Sequence, residues 1–175
     1  MKVFGIVGWK NSGKTTLTEK VVASMVSKGY SVSSIKHAHH NFVVDQEGKD
    51  SDRHKKAGAS QVIVSSKNQW ALISSQRYNE KEVLSKMLKK LDPVDFVIIE
   101  GFKTYWHPKI ETYISGNFHE PLIATSKNII GLVHDLDYFE GEQEHFRFEE
   151  IEKIVNFVIC NAVEIDQVVN DKRQS

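Results

Sequence analysis

Residues Gly8 to Thr15 read GWKNSGKT and satisfy G-x-x-x-x-G-K-[ST] at every fixed position, a pattern whose chemistry is the cradling of phosphate groups. Gly8 and Gly13 permit a tight loop whose backbone N–H groups converge on phosphate oxygens. The helix that follows adds the positive end of its dipole. In this frame Lys14 reaches the β and γ phosphates, the Thr15 hydroxyl binds Mg²⁺ and Thr16 donates to the α-phosphate. Asn11 and Ser12 complete the nucleotide loop. Such a loop needs a carboxylate to hold or orient the metal, conventionally at the carboxyl end of a neighbouring apolar strand. Glu100 ends the run FVIIE and meets that requirement, whereas Asp95 begins the same segment and belongs at the far edge of a sheet. Asp50, after Gly48-Lys49, is a further candidate that approaches the Mg²⁺ from the loop side.

A second concentration of reactive side chains lies in SIKHAHHNFVVDQEGKDSDRH, Ser34 to His54, which holds four of the eight histidines. Imidazoles are good ligands for zinc or nickel, but no cysteine is near. Adjacent His39 and His40 would point to opposite faces of a continuing strand, with His37 and His39 sharing one. The other reading makes Lys36, His37 and His40 donors lining a phosphate-bearing pocket, with Asp45 and Asp50 available to metal or ribose. The stretch leaves a strand at the edge where the phosphate loop leaves its own, which favours the pocket.

These residues need a scaffold, and the apolar pattern supplies one. Val3 to Val7 reads as a buried strand, and Leu17, Val21, Val22 and Met25 fall on one face of a helix closed by Gly29. Ser31 to Ile35 is a second strand. A short helix over Ser51 to Ala57 precedes two strands, Gln61 to Ser65 and Trp70 to Ser74, in a hairpin arrangement. Val83, Leu84, Met87, Leu88 and Leu91 mark a helix capped by Asn79 and ended by Pro93. The run from Asp95 to Phe102 is apolar enough for a central parallel strand. Lys109 to Ile114, Leu122 to Thr125 and Ile129 to Val133 are further strand candidates, and Ile151, Ile154, Val155, Val158 and Ile159 form the stripe of a C-terminal helix. Strands alternating with helices predict an α/β fold of the P-loop NTPase type, three layers with a mostly parallel central sheet, as one domain over residues 1–175.

Composition narrows the class. Lysine plus arginine balances aspartate plus glutamate at 23 each, which gives no reason to expect a long basic face for nucleic acid or an acidic membrane. The single cysteine, Cys160, excludes an intrachain disulfide and a cysteine-based zinc site. No stretch approaches the roughly 20 apolar residues of a membrane span. The expectation is a soluble cytoplasmic protein.

Three blocks in order resemble the MobB family, the molybdopterin-guanine dinucleotide biosynthesis proteins B: GWKNSGKTTL, IKHAHHNFVVDQEGKDSDRHKKAGA and VIIEGFKTYWHPKIE. Together they span most of residues 3 to 111, and beyond about Ile114 the match fades. The resemblance implies a GTP-binding P-loop fold, generally dimeric, that assists the guanylyltransferase attaching GMP to molybdopterin and hydrolyses GTP weakly. It implies GTP and Mg²⁺ as cofactors, with molybdopterin or its guanine dinucleotide form as a possible ligand of the pocket. Molybdoenzymes or their chaperones would be further partners, with neither nucleic acid nor membrane. Gly8 to Thr16 carry over as the nucleotide loop and Glu100 as its metal-orienting acid.

GTP over ATP rests on that likeness, because the Asn-Lys-x-Asp segment many GTPases use for guanine is absent; the backbone of Ala124 to Asn128 is a candidate to face the base. A small-molecule kinase on the same loop is one alternative. It requires positive side chains over the transferred phosphoryl group, and the arginines 53, 77, 147 and 173 are scattered, leaving Lys36, Arg53 or Lys103 to act singly. A histidine-rich GTPase that inserts nickel or zinc is the other. A non-enzymatic adaptor fits well, since no residue can be picked out to place an attacking water.

Overall fold

Strand β1 (Lys2–Gly8) is buried from Val3 to its end, and the sheet is built outward from it. The computed structural model describes residues 1–38, 47–74 and 80–170. In chain order β1 is followed by α1 (Lys14–Ser27), β2 (Val32–Lys36), α2 (Asp50–Lys56), β3 (Gln61–Ser65), β4 (Trp70–Ser74), α3 (Glu80–Leu88), β5 (Phe96–Glu100), β6 (Lys109–Tyr113), β7 (Ile129–His134), β8 (Glu144–Phe146), α4 (Ile151–Asn161), β9 (Val163–Glu164) and α5 (Ile165–Val169). Contacts group these into two compact units, Met1–His37 with Lys81–Ser175, and Ala38–Glu80.

In the first unit the strands lie in the order β2-β5-β1-β6-β7-β8, and every neighbouring pair along that path is parallel. Only β9 runs antiparallel, against the first residues of β1. All five residues of β5 are buried, the state expected of a strand covered on both faces. One face carries Phe4, Ile6 and Ile98 against Leu17, Val21 and Met25 of α1 and Ile154, Val155 and Val158 of α4. The other carries Val3, Val97 and Ile99 against Leu84 and Leu88 of α3 and Val168 of α5. The result is the expected three-layer α/β arrangement.

The register decides what reaches the carboxyl edge. Glu100 lies level with Ile6 of β1 on one side and Lys36 of β2 on the other, and Gly8 lies level with Thr112 of β6. Asp95 sits at the opposite end. There its carboxylate accepts from the Ser31 N–H and hydroxyl at 2.8 and 2.7 Å, tying together the starts of β2 and β5.

Two expectations are corrected. Leu122 to Thr125 forms no strand: Leu122–Ala124 is a 3-10 turn after Pro121. The buried Glu111 carboxylate accepts from the Leu122 and Ile123 N–H groups, so these donors are unavailable to a ladder. The third helix ends at Leu88, not Leu91, and the cap assigned to Asn79 lies outside the described residues.

The second unit contains α2 and the β3–β4 hairpin, antiparallel with Gln61 opposite Ser74 and Ser65 opposite Trp70. Asp52 anchors the start of α2, accepting from the Gly48 N–H at 2.9 Å and from the Lys56 ammonium at 2.8 Å.

Candidate functional site

The phosphate loop is shaped by close backbone approach. A Cβ on Gly8 would lie 2.4 Å from Ser12 Oγ and 2.5 Å from the Thr112 carbonyl oxygen, so only glycine lets β1 pass between them. Ser12 is fully buried and its hydroxyl shares a 2.8 Å hydrogen bond with Thr112 Oγ1, which pins the loop to β6. Asn11 and Gly13 both take left-handed backbone conformations. Gly13 then caps α1, with no side-chain hydrogen bond at the cap and no acidic residue in the first turn. The first N–H groups of this 14-residue helix therefore have neither a side-chain cap nor an acidic residue of their own turn competing for them, the arrangement that favours an anion.

Lysines gather around that helix start. The Lys14 ammonium donates back to the Trp9 carbonyl within the loop. Burial, and then the Lys103 charge, depress its pKa; Glu100 works against this and Lys36 adds to it. Lys103, itself lowered by burial and partly restored by Glu111, holds its ammonium 4.0 Å above the Trp9 ring. The opposite support for Trp9 is a stacked His119 at 4.2 Å and a hydrogen bond from the indole N–H to the Glu120 carbonyl. Three ammonium groups bearing on one loop make a site that an anion would relieve.

Beside them, Thr15 donates to Glu100 Oε1 at 3.0 Å, and the Lys36 ammonium lies 3.2 Å from the same oxygen and 3.1 Å from Thr15 Oγ1. Glu100 is 7% exposed. A hydroxyl and a carboxylate converging in this way are the hard oxygen donors a Mg²⁺ ion takes, so the residues present fit the implied metal. Past Glu100 the chain turns through Gly101 and Phe102, both at positive φ, and the His37 ring stacks on Phe102 at 4.3 Å.

The loop from Gly8 to Thr16, Lys36, His37 and Glu100 are thus drawn to one edge of the sheet. His40 and Asp45 lie outside the described residues, as does His39. Asp50 belongs to the second unit, where its exposed carboxylate is 3.9 Å from the Arg53 guanidinium. Part of the proposed base-facing backbone of Ala124 to Asn128 is engaged elsewhere: Ala124, Thr125 and Ser126 donate within their own turn, and the Asn128 carbonyl accepts from the Lys109 N–H. Arg147 is likewise spent on the Leu136 and Asp137 carbonyls. Among the described residues no group of three or more His, Cys, Asp or Glu is placed to hold a metal ion.

A model of the family described as Molybdopterin guanine dinucleotide synthesis protein B, MobB, matches residues 3–135. The chain belongs to the MobB family. It is 44% identical over 111 residues to the molybdopterin-guanine dinucleotide biosynthesis adapter protein of Haemophilus influenzae, across 62% of this chain and 61% of that one, which is less than two thirds of that relative. Against the adapter protein of Escherichia coli it is 30% identical over 160 residues, 90% of this chain and 91% of that one. The crystal structure of Bacillus subtilis MobB shares the fold, with a TM-score of 0.73 and 24% identity over 93% of this chain and 99% of that one. So does that of a MobB homologue from Bacillus stearothermophilus, with a TM-score of 0.64 and 23% identity over 90% and 95%. No helix among the described residues is long and apolar enough to cross a membrane.

Reading residue types in order missed part of this MobB site. Thr112 and Trp9 hold the loop, and neither stands at a fixed position of the motif. Lys109 and His107 are both fully buried beside Gly5 of β1, where a Cβ would lie 2.7 Å from His107 Nε2 and from Lys109 Cγ. The signal was the polar pair of the HPK segment at the start of an apolar strand. The Lys109 ammonium donates to the Tyr105 and His107 carbonyls, while neither His107 ring nitrogen has a hydrogen-bond partner among the described residues. Burial, helped by Lys109, keeps His107 neutral far below its usual range.

Burial also lowers the Lys109 pKa from 10.5 to about 7. A base whose folded pKa is depressed binds fewer protons in the fold than in the unfolded chain between those two values, so stability rises with pH across that window. The penalty is complete below about pH 7 and disappears above the unfolded value. Urea unfolding of the wild type should therefore show stability gained from pH 7 to 10, and Lys109→Met should show less of that gain. Parallel pH profiles for the two proteins would contradict a buried amine.

Proposed function

We propose that this chain is a Mg²⁺- and GTP-binding adapter in the biosynthesis of the molybdenum cofactor's guanine dinucleotide form, working beside the guanylyltransferase. The observation that carries the reading is the convergence, at one sheet edge, of an uncapped helix start, three lysines and the Thr15–Glu100 oxygen pair. Lys14 serves the β and γ phosphates, Thr15 and Glu100 hold Mg²⁺, and Thr16 serves the α-phosphate. The metal supplies charge neutralisation of the triphosphate. Ser12 acts through Thr112 to fix the loop, and Lys36 and His37 line its open side.

The adapter role is supported by the names of the relatives and by a site in which, among the described residues, no group stands out to position an attacking water. GTP turnover below roughly one per second follows, slow against ordinary enzymes. We assign the protein to the cytoplasm as a homodimer, with the pterin nucleotide as the further ligand and molybdoenzymes or their chaperones as downstream partners. A competition titration of GTP and ATP against a fluorescent nucleotide, with and without Mg²⁺, tests the reading. GTP should displace the probe at the lower concentration, and more so with Mg²⁺; a marked preference for ATP would overturn it in favour of a kinase.

A further inference from the structure

Lys36 is the last residue of β2 and lies in register with Glu100, the last residue of β5. Its ammonium occupies the third corner of a triangle with Thr15 Oγ1 and Glu100 Oε1, at 3.1 and 3.2 Å, while those two oxygens are 3.0 Å apart. They are the same two oxygens assigned above to Mg²⁺. We infer that Lys36 is a built-in counter-cation that holds the metal position of the nucleotide-free protein and gives it up when a divalent cation arrives with the triphosphate. This rests on the nucleotide-binding reading of the site.

The inference follows from what each group requires. A carboxylate as buried as Glu100 is costly without an opposite charge, and the Thr15 hydroxyl alone brings no charge to it. Lys36 supplies that charge from the neighbouring strand. A Mg²⁺ ion binds oxygen at about 2.0–2.1 Å in a near-octahedral shell. An ammonium retained against the same two oxygens would crowd that shell and place like charges within a few ångströms. The two cations therefore exclude each other. Lys36 is free to leave because its side chain is 59% exposed and its four-carbon stem is flexible. Its charge then has a destination in the phosphates at the same edge.

Two consequences separate this role from that of a simple phosphate ligand. Lys36 opposes metal binding to the nucleotide-free protein, and it supports nucleotide binding when metal is absent by bridging Glu100 to the triphosphate. The test uses Mn²⁺ as the metal, read by electron paramagnetic resonance on nucleotide-free protein, together with GTP titrations in EDTA and in Mg²⁺. Lys36→Met should bind Mn²⁺ about tenfold more tightly than the wild type, within the ordinary range of site coupling, and Lys36→Arg should restore the weaker affinity. The ratio of GTP affinities with and without Mg²⁺ should rise in Lys36→Met by a similar factor. Lys36→Gln repeats both measurements should the methionine variant not fold. Unchanged or weakened Mn²⁺ binding in the neutral variants would overturn the inference. So would an equal loss of GTP affinity in both buffers, which marks a phosphate ligand only. A wild type that binds no nucleotide would defeat the functional reading, and the Mn²⁺ measurement would still decide the role of Lys36.

Discussion

Lys14→Ala is expected to weaken GTP binding by about a hundredfold or more and to leave the melting temperature of the nucleotide-free protein nearly unchanged. The two halves have separate causes. Hydrogen bonds to charged groups contribute roughly 1.5–3 kcal/mol each, and about 1.4 kcal/mol is tenfold in affinity, so losing an ammonium placed between two phosphates amounts to about two decades. In the absence of nucleotide the same ammonium is a cost to the fold. It is part-buried beside Lys103 and Lys36, its pKa is depressed by burial and by Lys103, and its hydrogen bond goes to the Trp9 carbonyl of its own loop. Removing it relieves that repulsion, which offsets the lost hydrogen bond. Isothermal titration with GTP, beside thermal melts, checks both halves. Affinity within threefold of the wild type would mean that the loop does not hold the triphosphate. Lower affinity with a collapsed melting temperature would mean that Lys14 serves the fold and not the ligand.

Some of this site was legible because its parts are local. The phosphate loop is a contiguous motif with a strand before and a helix after, and the choice of Glu100 over Asp95 needed only the direction of one strand. The β3–β4 hairpin was bounded to the residue because two alternating runs flank a polar turn. What was not legible depends on register between distant segments. Nothing near Lys36 in the chain announces that β2 and β5 end level with each other, which is what sets its ammonium against Glu100. Nor does Glu111 announce that it will draw the N–H groups of Leu122 and Ile123 away from a strand, although Leu122 to Thr125 has a strand's apolar character. The buried Lys109 and His107 contradict the rule that polar residues mark the surface, and the absence of a side chain on Gly5 leaves the space they pack into. The histidine-rich stretch divided in the same way. His37 is committed to Phe102 by ring stacking, a contact made across two strand ends, while His39 and His40 lie outside the described residues.

Gly8→Ala carries the other large effect, and there the fold and the ligand fail together. The added Cβ would meet Ser12 Oγ at 2.4 Å, the Thr112 carbonyl oxygen at 2.5 Å and Thr112 Oγ1 at 2.6 Å, at a φ of +153° that side chains rarely adopt. Overpacking costs about 1–3 kcal/mol and an unfavourable backbone conformation about as much again, so a loss of about 3 kcal/mol or more is expected. For a chain of this size that is a fall in melting temperature of roughly 10 °C. The clash cannot be cured by trimming side chains, because one of its partners is backbone: Gly8 and Thr112 are paired across the β1–β6 ladder, and moving the Thr112 carbonyl away breaks the pairing that aligns the loop with the sheet edge. Adding Ser12→Ala to Gly8→Ala should therefore recover only part of the loss. The double variant should still bind GTP poorly at temperatures where it is folded, since the Thr112 contact that pins the loop is gone. A Gly8→Ala protein that melts within a degree of the wild type and binds GTP normally would show that β1 does not pass between Ser12 and Thr112, and the loop geometry built on that passage would fall with it.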